Sequence, residues 1–186
     1  MEKELEGKTI VLGVTGSIAA YKAALLARAL RARGGQVYTI RTRGATAFIS
    51  PLTFQALTGN PALVEMFEPA TEWQIEHVSL AQAADAVVIA PCTAHVIGKI
   101  ANGLSDDLLS VTVMATQAPV VIAPAMDAYM YESPAVEANV AQLSEWGFTF
   151  VGPERGELAT GLEGLGRLAE VADILAAVVE RVRSSP

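Results

Sequence analysis

The 186 residues include one cysteine, Cys92, and two histidines, His77 and His95. A lone cysteine excludes an intrachain disulfide and any cysteine-built metal site. Two histidines are too few for a zinc or iron centre, so no metal is expected. Such cysteine usage suits a reducing compartment, the cytoplasm. No apolar run approaches the ~18 to 20 residues that cross a bilayer. A basic face is also missing. Thirteen Lys and Arg stand against 20 Asp and Glu, a net charge of -7, which argues against nucleic acid as a partner. The local excess of Arg28, Arg31, Arg33, Arg41 and Arg43 reads as a solvated helix face and the loop beside it. The dinucleotide pattern G-x-G-x-x-G is absent. Met1 to Lys8 is charged and leads straight into a strand, unlike a signal peptide.

What is present is apolar: 52% of the residues, with a mean hydropathy of +0.37. In a chain with no membrane span, that excess points to subunit interfaces and a homo-oligomer. The length suits one domain, residues 1–186. Thr9 to Val14 is a β-rich run ending at Gly13-Val14-Thr15-Gly16-Ser17, and Ile18 to Arg33 has helical spacing and stops at Gly34-Gly35. Gln36 to Arg41 reads as the second strand, giving a strand–loop–helix–strand unit with parallel pairing. Further strands are expected at Ala86–Ala90, Val120–Ala123 and Phe148–Val151. Helices are expected around Val78–Ala84, Ala94–Ala101, Asp107–Thr116, Pro134–Trp146 and Leu168–Val182. Continuously apolar strand cores such as Val87-Val88-Ile89 imply helices on both sheet faces. The expected fold is therefore α/β, a three-layer doubly wound parallel sheet. Residues 152–167 hold five glycines and read as a flexible flap.

Several segments fall at the carboxyl ends of these strands, where open α/β sheets bind ligands. Gly16-Ser17 offers backbone N–H groups, a hydroxyl and a helix N-terminus to a phosphate; a turn that simply needs glycine explains it equally well. Pro91 is expected to stop its strand, and Thr93 to cap the next helix or contact a ligand. Ser105-Asp106-Asp107 fits a capping box or polar ligands for a ribityl or phosphate chain. His77, at a helix start, is by itself an ordinary capping or surface residue; three neighbouring loops of ligand-type chemistry raise its interest. Pro124-Ala125-Met126-Asp127 follows the strand Val120 to Ala123 and precedes a turn and a fresh helix.

Six blocks carry a resemblance: GVTGSIAAYKA at 13–23, SPLTFQALTGNP at 50–61, EHVSLAQAAD at 76–85, APCTAHVIGKIANGLSDDLL at 90–109, APAMDAYMY at 123–131 and GPERGELATGLEGLGR at 152–167. Their order and coverage are similar to those of the homo-oligomeric FMN-containing cysteine decarboxylases, in particular the phosphopantothenoylcysteine branch. The resemblance implies a flavodoxin-like (Rossmann-like) sheet, FMN at a subunit interface, and a trimer or a multiple such as a dodecamer. It implies decarboxylation of a cysteine-containing substrate, above all 4'-phospho-N-pantothenoylcysteine in coenzyme A biosynthesis. Bacterial relatives are often fused to a synthetase domain, for which these 186 residues leave no room. By position, Gly16, Ser17 and Thr42 would hold the FMN phosphate, and Thr93, Ala94, Ser105, Asp106 and Met126 would complete the flavin pocket. His77 matches the catalytic histidine. Asp127 matches an asparagine that binds the substrate carboxylate, with Ala125 and Met126 beside it. Thr160, between Ala159 and Gly161, matches a flap cysteine that supplies a proton.

Two of these matches change the chemistry. An ionised Asp127 repels a carboxylate that an asparagine would bind, by roughly 1 kcal/mol at ~4 Å in water and ~4 kcal/mol at an effective dielectric near 20. Losing the hydrogen bond adds about 1.5 to 3 kcal/mol. Thr160 cannot act as an acid in place of a thiol of pKa about 8.5. His95, where the family often has asparagine, is a milder change. Two alternatives accompany the first reading: decarboxylation of a C-terminal peptide cysteine, and a non-catalytic FMN-binding regulatory protein. A flavin prenyltransferase fits less well, because Pro124 to Tyr131 and the flap resemble the decarboxylase branch.

Overall fold

A computed structural model describes residues 3–64 and 77–184, with His77 and Val78 by backbone alone. In chain order the elements are β1 (Thr9–Val14), α1 (Ala20–Ala32), β2 (Gln36–Arg41), a 3-10 turn (Arg43–Ala47), α2 (Pro51–Thr58), β3 (Ala62–Leu63), α3 (His77–Ala83), β4 (Ala86–Cys92), α4 (Ala94–Ala101), α5 (Leu108–Ala115), β5 (Val120–Pro124), α6 (Ala128–Tyr131), α7 (Pro134–Glu145), β6 (Thr149–Phe150), β7 (Glu154–Glu157), β8 (Glu163–Arg167) and α8 (Val171–Ser184). Six strands form a parallel sheet in the order β3-β2-β1-β4-β5-β6. Without its two-residue edge strand β3, this is the flavodoxin order; with it, the classic doubly wound order.

Strand alternation divides the core into two clusters. Ile10, Leu12 and Val14 of β1, Val88 of β4 and Val121 of β5 pack with Leu26 and Leu30 of α1 and Ile174 and Val178 of α8. Val11, Val87, Ile89 and Ile122 pack with Ile97 and Ile100 of α4, Leu109 of α5 and Leu143 of α7. Each buried Leu, Ile or Val contributes about 1.5 to 3 kcal/mol. The three layers expected from the apolar strands follow directly from this two-sided burial.

Four expectations require correction. Pro91 does not stop β4, which runs to Cys92; its pairing with β5 instead shifts register between Ile89 and Cys92. Arg41 is no solvated side chain but 1% exposed at the end of β2, and Arg31 and Arg33 are engaged with the Thr58 carbonyl and the Glu4 carboxylate. α2 was unforeseen, although its boundaries are well marked: Ser50 caps it through Leu52 N–H, Pro51 opens it, and Gly59 ends it in a left-handed conformation. Residues 152–167 are not a featureless flap, since β7 and β8 pair as an antiparallel hairpin. Glycine there meets steric needs. A Cβ on Gly164 would lie 2.5 Å from Ala128 Cβ, and one on Gly166 would collide with the Met126 carbonyl oxygen. Only glycine lets β8 approach this closely.

Candidate functional site

Backbone hydrogen bonds lace the loops at the carboxyl edge in sheet order. Thr42 N–H, after β2, donates to Val14 O at 3.0 Å. Thr15, after β1, is fully buried. Its N–H and hydroxyl donate to Pro91 O at 3.3 and 2.8 Å, and its oxygen accepts from Thr93 N–H at 3.0 Å. Ala125 N–H donates to Cys92 O at 3.0 Å, and Met126 N–H to Gly166 O at 3.0 Å. The lacing thus runs from β2 through β1, β4 and β5 to the hairpin. Gly13 serves packing: a Cβ there would lie 2.6 Å from Leu109, so the absent side chain admits α5 to the sheet.

Two cavities open on this edge, and the Gly16–Ser17 turn contributes to both, Gly16 to one and Ser17 to the other. The first, about 800 Å³, is lined by Gly16, Thr42, Thr93 and Asp106 with apolar Val96 and Leu109. A Cβ on Gly16 would lie 3.0 Å from the Gly44 backbone, so the loops after β1 and β2 touch. Thr42 and Thr93 occupy N-cap positions, yet neither side chain caps its helix; both hydroxyls belong to the cavity wall. Ser17 Oγ accepts from Ala19 N–H at 3.3 Å. At the far wall Lys99 Nζ lies 2.6 Å from Asp106 and 2.7 Å from Asp107. Burial raises the Asp107 carboxyl, but Lys99 and Ser110 outweigh it and hold the group below the usual carboxylate range. Lys99 itself is lowered by burial and raised further by the two acids, a net rise. The capping box of α5 is built by Asp107 and Ser110, not by Ser105.

The second cavity, about 490 Å³, brings Ser17, Ala125, Met126 and Asp127 together with Ala159 and Thr160 of the hairpin. Asp127 Oδ1 caps α6 by accepting from Tyr129 N–H at 2.9 Å. Gly161 forms the hairpin turn at φ 78° without lining the cavity. Ala94 follows Thr93 at the start of α4, and exposed Ser105 precedes Asp106; neither lines either cavity. His77 opens α3, and its side chain lies outside the described residues. Sequence reasoning passed over three residues. Thr15 sits inside the glycine turn and is signalled by its polarity at the end of an apolar strand. Lys22 and Arg167 line the second cavity, 145 positions apart, and no local pattern joins them.

The chain matches the Flavoprotein family over residues 1–183. It is 44% identical over 172 residues to the coenzyme A biosynthesis bifunctional protein CoaBC of Vibrio vulnificus, covering 92% of this chain and 43% of that protein. With CoaBC of Bacillus subtilis it is 44% identical over 171 residues, covering 92% of this chain and 42% of that one. The chain belongs to the Flavoprotein family. It spans less than half the length of these curated relatives. Among solved structures, the FMN-dependent cysteine decarboxylase SpaF superposes with a TM-score of 0.82 at 30% identity, covering 96% of this chain and 98% of SpaF. A PPC decarboxylase mutant complexed with pantothenoylaminoethenethiol gives 0.83 at 28% identity, covering 95% and 99%. The family fixes the cofactor class as a flavin. The first cavity suits one, with hydroxyls and packed backbone for a polar chain and Val96, Leu108, Leu109 and Met130 for an apolar ring.

Proposed function

We propose that this chain is an FMN-dependent decarboxylase of a cysteine-containing substrate, with 4'-phospho-N-pantothenoylcysteine in coenzyme A biosynthesis as that substrate. One observation carries the reading: a nucleotide-sized cavity and a second, hairpin-covered cavity are lined by the adjacent residues Gly16 and Ser17. Relatives similar over 92% of the chain act in coenzyme A biosynthesis by name. In this reading Gly16, Ser17 and Thr42 hold the FMN phosphate and Thr93 and Asp106 border the rest, with Ala94 and Ser105 as their chain neighbours and Met126 in the second cavity. Bound FMN supplies the electron sink that a cysteine side chain lacks. The chain's part is to bind and orient. Ala125, Met126 and Ala159 shape the substrate's place, Gly161 sets the turn of the hairpin that excludes water, and His77 at the head of α3 serves as the acid–base group.

Assembly as a trimer, or a multiple of it, belongs to the same reading. Ile18, in the turn before α1, and Tyr21 and Leu25 of α1 are 55 to 63% accessible, with Phe48 and Leu52 exposed on the neighbouring turn and α2. No helix of the described residues is long and apolar enough to cross a membrane, and we place the protein in the cytoplasm.

Thr160 favours a second substrate class, a C-terminal peptide cysteine. At the hairpin turn, where the resemblance expects a thiol, this chain has a hydroxyl that cannot serve as an acid near neutral pH. Decarboxylation would then end at the enethiol, the two electrons would stay with the bound flavin, and repeated turnover would need dioxygen to take them up. Mass spectrometry of products from purified, FMN-loaded protein decides the reading. Carbon dioxide loss from 4'-phospho-N-pantothenoylcysteine is expected, with the product two hydrogens short of 4'-phosphopantetheine, and Thr160→Cys is expected to shift it to the saturated thiol. Loss from a C-terminal cysteine peptide alone would favour the peptide reading. No carbon dioxide from either substrate would leave a non-catalytic flavoprotein.

A further inference from the structure

Asp127 offers an acceptor where a substrate carboxylate needs a donor, and its Oδ1 already serves Tyr129 N–H. The positive charge has to come from elsewhere in the wall. Among the described residues lining the second cavity, the cations are Lys22 and Arg167. Both approach Glu170, but on different terms. Arg167 is locked: it hydrogen-bonds the Glu154 carboxylate opposite it at the hairpin base and lies 3.3 Å from Glu170 Oε1. Glu154 Oε1 in turn accepts from Glu170 N–H at 3.1 Å. These bonds clamp the hairpin to the start of α8. Lys22 is held loosely. Its ammonium stands 3.8 Å from Glu170 Oε1, outside hydrogen-bond distance, while its stem is covered and the side chain only 17% exposed. A lysine whose stem is fixed and whose head is under-bonded is placed to exchange partners.

We propose that Lys22 is the specificity-determining residue that recognises the substrate's carboxylate, with Glu170 as its counter-ion when no substrate is bound. This rests on the decarboxylase reading and deepens it, because it replaces the donor missing at Asp127. Turning from Glu170 to a bound carboxylate exchanges one ion pair for a shorter one, and the new pair offsets the repulsion from Asp127. Lys22 thereby separates a cysteine substrate from its decarboxylated product, which has no carboxylate to hold.

Isothermal titration of FMN-loaded protein tests this with two probe pairs. One is 4'-phospho-N-pantothenoylcysteine against 4'-phosphopantetheine, which has the phosphate but no carboxylate. The other is a C-terminal cysteine peptide against its decarboxylated analogue. Lys22→Gln is expected to weaken the carboxylate-bearing member about 10- to 100-fold, the range of a charge-assisted hydrogen bond, and the other member less than twofold. Lys22→Arg should recover most of the loss, and flavin absorbance shows that each variant keeps its fold. Equal weakening of both members, or of neither, overturns the proposal; equal weakening would assign Lys22 to the phosphate or to packing. If the unmodified protein binds only the peptide pair, with Lys22 discriminating, the small-molecule reading fails and the role of Lys22 stands. If it binds neither pair, both fall.

Discussion

The two cavities share one turn but differ in how their walls are held. The wall of the first comes from α4, α5 and the loops after β1, β2 and β4, and those loops bond to one another through Thr15 and Thr42. That wall carries Thr42 and Thr93, the guanidinium-bearing Arg41 and Arg43 beside them, and across from these the cluster of Lys99 with Asp106 and Asp107. The second is closed by a hairpin resting on the Met126–Ala128 segment through Gly164 and Gly166, and its charges are borrowed, Lys22 and Arg167 leaning on Glu170 and Glu154 from outside. Backbone lacing gives a ligand site that tolerates side-chain change. A hairpin fastened by contact and charge makes specificity adjustable without disturbing the neighbouring site. The two departures that change the chemistry, Asp127 and Thr160, fall in the second cavity, and the milder one, His95, lines the first.

The sharpest way to break this division is Gly166→Ala. The added methyl meets the Met126 carbonyl oxygen, a backbone atom that cannot swing aside, so β8 has to lift from the segment bearing Asp127. Overpacking of this kind costs about 1 to 3 kcal/mol. With substrate positioning lost as well, turnover should fall about 100-fold or more. Flavin content, read from visible absorbance, should stay near that of the unmodified protein; a colourless variant would show that the two cavities stand or fall together.

Thr15→Val tests the opposite side. Valine preserves the volume but leaves the Thr93 N–H without its acceptor, a loss of about 1 to 3 kcal/mol. Urea unfolding should show that loss, and retained flavin should drop, since the loops after β1 and β4 would separate. Unaltered stability would mean that the lacing is redundant.

Much of this contrast was legible in the sequence, unevenly so. β1 is a β-rich run that leads into a glycine turn, β2 follows Gly34-Gly35, and α4 follows Thr93; all three occur where the pattern puts them. The resemblance brought Gly16, Thr42, Thr93 and Asp106 to one cavity and Ser17, Asp127 and Thr160 to the other. The hairpin was hidden because its glycines read as flexibility, whereas Gly164 and Gly166 are demanded by Ala128 and Met126, 36 and 40 positions upstream. The burial of Arg41 and the network of Lys22, Glu154, Arg167 and Glu170 were hidden for the same reason: charge pairs between distant segments leave no periodic trace.

Asp127→Asn sharpens the comparison at the residue where the second cavity departs most. Asparagine caps helices as well as aspartate, so its oxygen can keep the Tyr129 N–H, and thermal stability should move little. The added NH₂ offers a donor and removes a repelling charge, so kcat/KM for 4'-phospho-N-pantothenoylcysteine at neutral pH should rise about tenfold, equivalent to about 1.4 kcal/mol. A fall in kcat/KM would show that the carboxylate is adapted to another ligand.

The smallest expected effect returns to the first cavity and depends on pH. Asp107 caps α5 through Ser110 N–H at 2.8 Å and pairs with Lys99. Asp107→Ala removes both, which should cost about 1 kcal/mol at pH 7, most of it from the cap. The folded-state pKa of Asp107 is depressed, by Lys99 and Ser110 acting against burial. Its contribution is therefore complete above the unfolded carboxylate value of about 3.9 and is lost as the pH falls through the lower folded value. Urea unfolding of the two proteins should show a constant gap from neutral pH down to about 4, closing below it. A gap that persists unchanged into strong acid would assign the effect to helix propensity, not to the charged cap.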